Sequence, residues 1–203
     1  MIRNLGVAAV VVSLALTASA GEPAKAAATL DNLQKAYGNG LIAKARCEAF
    51  AVKADAEGYA AVGALMRASA NAEAIHLDKY AAVIKSLGGE PAAAAAAPEV
   101  GTTAENLKAL LAAVESNKAA YAGFVKQAQA EKADKAVMFL KGALADEASR
   151  GKLYAEAAGD LQSWKAAGKA FIVCQVCGYT TADAKLKTCP VCSAPRDKFT
   201  EFK

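Results

Sequence analysis

Histidine is almost missing from this chain: there is one, His76, in 203 residues. A single imidazole leaves few players for Ser/His/Asp-type nucleophilic catalysis, and neither a glycine-rich phosphate loop nor a nucleophile elbow occurs. Aromatics make up 6% of the residues and prolines number five, which, beside abundant alanine, favours helices over strands. Charge of one sign is scarce too. The formal net charge is +4, without long basic runs, so nothing points to nucleic-acid binding or to an electrostatic membrane clamp. What the chain does have is five cysteines, four of them in two close pairs and the fifth, Cys47, far away. That distribution fits a metal site plus an isolated thiol better than a disulfide framework.

The first twenty residues read as a targeting segment. Arg3 gives a positive start, Leu5 to Leu16 is an apolar run, and Ala18-Ser19-Ala20 fits a small-residue cleavage site. We expect residues 1–20 to be a secretory signal peptide cleaved after Ala20, and the mature protein to be periplasmic or secreted. The apolar run is short for a bilayer span, so no membrane association is expected after cleavage.

Four amphipathic patterns follow, at about residues 29–57, 59–87, 104–130 and 134–164. On the first, Leu33, Ala36, Gly40, Ala43, Cys47 and Phe50 share a face; on the second, Val62, Leu65, Ser69, Glu73, His76 and Tyr80 do. Leu107, Leu110, Val114, Asn117 and Tyr121 mark the third, and Leu140, Leu144, Glu147, Arg150 and Tyr154 the fourth. Thr103 is a plausible N-cap of the third helix. Short turns join the first pair and the last pair. A low-complexity connector at 88–102, with a glycine pair and two prolines, joins the second helix to the third. The expected fold is mostly α: a four-helix bundle with one crossover over residues 21–167. Composition changes at Gly168, where a small second domain, 168–203, begins.

That second domain carries Cys174-Gln175-Val176-Cys177-Gly178 and Cys189-Pro190-Val191-Cys192, two Cys-x-x-Cys pairs separated by eleven residues. Such pairs can place four thiolates at the corners of a tetrahedron, a set that suits iron or zinc; two disulfides are the alternative. The segment resembles rubredoxin, in the short form found at the end of rubrerythrins, on CQVCGY, CPVCSAP and Phe199 within PRDKFTEF. The resemblance implies one iron held by Cys174, Cys177, Cys189 and Cys192 and cycling between ferric and ferrous states, with zinc as the competing ion. Four thiolates leave no open coordination position, so such a site passes electrons rather than binding substrate. Phe171, Tyr179 and Phe199 are expected to shield it from water.

The bundle is similar to the ferritin-like domain of rubrerythrins. The matching segments are Asn32-Leu33-Gln34-Lys35-Ala36-Tyr37, Ala56-Glu57-Gly58-Tyr59, the Glu73/His76 pair, Asn106-Leu107-Lys108-Ala109 and Tyr121-Ala122-Gly123-Phe124. The resemblance implies two bundle irons that reduce hydrogen peroxide with electrons from the rubredoxin iron, and a tendency to form homodimers. Yet such a site takes two histidines, and this chain has one. Carried across by position, the first-helix glutamate falls at Gly40. Glu73 and His76 are kept. The third-helix glutamates fall near Val114 and Asn117, where only Glu115 is available. Glu147 is kept, and Arg150 stands where histidine is expected. A di-iron centre is therefore not expected. We expect the Arg150 guanidinium to occupy part of the vacated cavity and pair with Glu73 or Glu147, because a buried carboxylate needs a cation. Glu73, His76 and Glu147 remain candidates for a single residual metal, with Cys47 as a small buried neighbour.

Three functions follow. One is an exported protein that exchanges single electrons with a redox partner protein through the tail iron. The second is a non-haem peroxide reductase using a remodelled bundle site. The third is a structural or interaction protein stabilised by zinc.

Overall fold

The computed structural model describes residues 26–92, 98–166 and 168–203. The segment expected to be a signal peptide and the middle of the 88–102 connector lie outside the described residues.

Four long helices form: α1 (Ala27–Ala56), α2 (Ala60–Ser86), α3 (Thr103–Ala130) and α4 (Asp134–Gly159). Gly58, at φ +79°, makes the turn between α1 and α2. The start of α3 is fixed by Thr102 rather than Thr103. The Thr102 side chain accepts from the amide of Glu105 (3.3 Å), and the Glu105 carboxylate accepts from the amide of Thr102 (2.8 Å). The Thr103 amide instead donates to Glu57 at the end of α1 (2.8 Å). α4 stops five residues short of the expected 164, because Asp160 accepts from the amide of Ser163 and opens a 3-10 turn over Leu161–Trp164.

α1 packs most extensively on α2, and α3 on α4. Two apolar clusters fill the bundle. One gathers Phe50, Leu65, Met66, Leu107 and Tyr154; the other gathers Leu33, Tyr80, Ile84, Tyr121 and Leu140. Along α2 and α4 the residues between these clusters are polar and buried: Glu73 and His76 on one, Asp146, Glu147 and Arg150 on the other. Among the described residues no helix is long and apolar enough to cross a membrane.

After Gly168 the chain makes a three-stranded antiparallel sheet of order β2-β1-β3, with β1 at Phe171–Cys174, β2 at Thr180–Thr181 and β3 at Phe199–Phe202. All four β1 residues are buried. The sheet rests on α2 and α4. Phe171, expected beside the cysteines, stacks instead on Trp164 (ring centroids 5.8 Å apart) and joins the bundle core with Val173. Strand alternation accounts for this: Phe171 and Val173 share the face turned to the helices.

Candidate metal centre and buried ionic cluster

Two matching loops bring the cysteines together. In the first, the Gly178 amide donates to the Cys174 carbonyl (2.8 Å) and the Cys174 amide to the Tyr179 carbonyl (2.9 Å). In the second, the Ser193 amide donates to the Cys189 carbonyl (2.9 Å) and the Cys189 amide to the Ala194 carbonyl (2.8 Å). Gly178 (φ +83°) and Ser193 (φ +60°) hold the left-handed residue that each turn requires. The four sulfur atoms lie within 4.8 Å of one another, with Cys174 to Cys192 at 3.6 Å and Cys177 to Cys189 at 3.5 Å. A tetrahedron with metal–sulfur bonds of about 2.3 Å has edges of about 3.8 Å, so the spacing fits a single ion. All four are free thiols, not disulfides.

Burial pushes the Cys174 thiol up to about 11, against the pull of the Val176 and Cys177 amides. At Cys192 burial acts in the same sense but is outweighed by the Ala194 amide and the neighbouring sulfurs, and that thiol lies below its ordinary range. Cation binding must therefore release protons from this site. Tyr179 and Phe199 pack against the cysteines.

In the bundle, Arg150 is buried and reaches three carboxylates. Its Nη2 donates to Glu73 Oε1 (2.5 Å) and lies 3.7 Å from Glu147 Oε1. Its Nε is 2.7 Å from Asp146 Oδ2, a charge contact rather than an aligned hydrogen bond. Glu147 also accepts from Asn117 Nδ2 (2.7 Å). His76 turns its two nitrogens in different directions: Nδ1 faces Glu73 Oε2 at 3.7 Å, and Nε2 lies 3.2 Å from the Cys177 carbonyl, which can only accept.

The charges follow from these contacts. Burial works against ionised Glu73, but Arg150 and His76 hold its carboxyl down at about 2. At Glu147 burial dominates, reinforced by Glu73, and lifts the carboxyl to about 7 in spite of Arg150. His76 is disfavoured as a cation by burial, yet Glu73 and Asp146 raise it above its ordinary value. Burial pushes the Cys47 thiol up to about 12, which leaves it un-ionised at neutral pH.

The carried-over positions do gather here. A Cβ on Gly40 would sit 3.5 Å from Glu73 Oε2. Cys47, Glu73, Val114, Asn117, Glu147 and Arg150 line a cavity of about 20 Å³. Glu115 does not join them: it faces solvent and pairs with Lys118 (2.9 Å). Among the described residues, the cysteine quartet is the only set of three or more His, Cys, Asp or Glu whose donor atoms converge within reach of one ion. Glu73, His76 and Glu147 are near neighbours but are not such a set. The sequence reading missed Asp146, which is fully buried. The available signal was its position four residues before Arg150, the spacing of a helical ion pair.

A four-helix bundle with a polar mid-section, joined to a small sheet that gathers four cysteines, defines a ferritin-like protein with a rubredoxin-like appendage. The Rubrerythrin family model matches residues 31–158, and the model described as "Rubrerythrin, rubredoxin-like domain" matches 173–200. The chain belongs to the rubrerythrin family. It is 31% identical to nigerythrin of Nitratidesulfovibrio vulgaris over 86% of each chain, and 30% identical to rubrerythrin-2 of Clostridium acetobutylicum over 88% of this chain and 98% of that one. Among solved structures, fully reduced, all-ferrous nigerythrin superposes with a TM-score of 0.79 at 30% identity, over 85% of this chain and 86% of that one. A Desulfovibrio desulfuricans bacterioferritin shares the bundle fold, at TM-score 0.63 and 20% identity over 68% of this chain and 82% of that one.

Proposed function

We propose that this protein is an exported one-electron carrier whose redox centre is a single iron in the Cys174/Cys177/Cys189/Cys192 site, and that its bundle no longer holds a di-iron centre. An iron bound there supplies a ferric/ferrous couple. The cysteines close the coordination sphere, Tyr179 and Phe199 limit access of water, and the amides of Val176, Cys177, Tyr179 and Ala194 point at sulfur, where they favour the added negative charge of the reduced form. The observation that carries the reading is the sulfur tetrahedron, together with relatives such as nigerythrin, whose reduced structure is all-ferrous.

Support for the second half comes from the bundle donors. Gly40 and Val114 have no ligand atom, Asn117 donates to Glu147, and a guanidinium fills the place between Glu73 and Glu147. The partner is a redox protein that exchanges electrons at the exposed side of the cysteine loops, where Val176 is 42% exposed.

Metal analysis and absorption spectra of the protein purified from its native compartment test this. About one iron per chain with a red, thiolate-type spectrum is expected. Two or three irons with peroxide turnover would establish the peroxide-reductase reading instead. Zinc alone, without colour, would establish the structural one.

A further inference from the structure

Two chains of contacts leave the buried ionic cluster for the four-cysteine module, and Arg150 stands at the root of both. In one, Arg150 Nε contacts Asp146 Oδ2 (2.7 Å), and Asp146 Oδ1 accepts the backbone amide of Thr180 (2.7 Å). In the other, Arg150 Nη2 donates to Glu73 (2.5 Å), Glu73 faces His76 Nδ1 (3.7 Å), and His76 Nε2 donates to the Cys177 carbonyl (3.2 Å). Ser149, one residue before Arg150, donates to the Thr180 carbonyl (2.6 Å). All of these anchors land on the four residues from Cys177 to Thr180. The fit there has no slack: a Cβ on Gly178 would collide with the His76 ring and lie 3.1 Å from the Ala72 carbonyl.

We propose that Arg150 is a positioning residue, whose guanidinium grips Glu73 and Asp146 together and so seats the four-cysteine module on the bundle. The cation at this position does more than neutralise carboxylates. A planar fork with several fixed donors can hold two acids on two different helices at a set separation, and a compact ammonium cannot. Asp146 comes from α4 and Glu73 from α2, so the fork also ties these helices at the level where the module docks. With the fork gone, neither Asp146 nor Glu73 is held in place to present its arm to Thr180 or His76. The proposal does not depend on which ion fills the cysteine site, and so stands apart from the electron-transfer reading.

Amide hydrogen exchange of the full-length zinc-loaded protein tests it, with wild type compared against R150K and R150M. The Thr180 amide is expected to exchange about tenfold faster or more in both variants, the loss of one charge-assisted hydrogen bond, while core amides such as that of Leu140 keep their protection in R150K and in R150M lose it only in step with that variant's lower global stability. In the iron-loaded protein the midpoint potential is expected to shift in both variants, because the contact at the Cys177 carbonyl loosens. R150K keeps the charge and most of the length, so it remains informative even where R150M folds poorly. Wild-type Thr180 protection and an unchanged potential in R150K would mean that Arg150 only balances charge, and would overturn the proposal.

Discussion

In the C-terminal module four side chains of one kind converge, and their four sulfurs lie within 4.8 Å of one another. In the middle of the bundle three carboxylates and an imidazole lie near one another without converging on a point, and a guanidinium stands among them. The two regions solve the same problem, the burial of groups that carry negative charge, in opposite ways. The module leaves a place for an external cation. The bundle carries its own cation on α4. The difference teaches that a buried acidic layer can draw counter-charge from the chain itself: the acids Glu73 and Glu147 stand there, and the guanidinium beside them is covalent.

The comparison breaks most severely at the cysteines. C177S removes one corner of the tetrahedron, and the module is expected to lose its ion and unfold, since binding of a structural ion contributes on the order of 10 kcal/mol. Visible thiolate absorption and the dichroism of those bands should vanish while far-ultraviolet helix signal persists. Loss of the helices as well would show that the bundle depends on the module.

The corresponding change in the bundle is R150M. It leaves Glu73 buried beside no cation except His76 and is expected to cost about 3–5 kcal/mol. Urea unfolding at neutral pH measures it. A loss below about 1 kcal/mol would show that the acids simply take up protons.

E147Q sharpens the comparison through pH. A carboxyl raised to about 7 in the fold keeps a proton that the unfolded chain has released above about 4.5. Its contribution to stability is therefore full below about 4.5, falls as pH rises to about 7, and is level beyond. Glu73, held down at about 2, contributes in the opposite sense: its part is present above about 4.5 and lost as pH falls towards 2. E147Q should flatten the decline between about pH 4.5 and 7, a change on the order of 3 kcal/mol, and leave the acid limb intact. Thermal melts across that range decide it; an unaltered slope would place the titrating group elsewhere.

The smallest effect is expected where the regions meet. G178A puts a side chain on a residue at φ +83° and against His76, at a cost of about 1–3 kcal/mol. The loss should appear in the module's melting, not in the bundle's.

Much of this was legible in the chain. Cysteine pairs at fixed spacing announce a tetrahedral site, because the loop geometry is local. The helices announce themselves by periodicity, with errors only at ends such as Gly159 and Thr102, where a single side chain decides. Arg150 was legible as an intruder because its neighbours in the pattern, Glu73, His76 and Glu147, were still there. Asn117 was legible as an inward position on the α3 stripe, but its partner was not: that its amide donates to Glu147 depends on how α3 sits against α4. Asp146 was not legible as an anchor, because its partner is a backbone amide, Thr180, which has no side-chain signature and sits in the other module.

By itself the sequence determined the four-helix pattern, the paired spacing of the four cysteines and the presence of Gly40, Val114, Asn117 and Arg150 on the inward stripes of the helices. Those are properties of residue type and of spacing within one segment. Only the tertiary structure decided that Arg150 grips Asp146 as well as Glu73, that His76 reaches the Cys177 carbonyl, and that Phe171 belongs to the bundle side. Each of these depends on two segments meeting at a particular distance and angle, which packing sets and no single stretch of chain encodes.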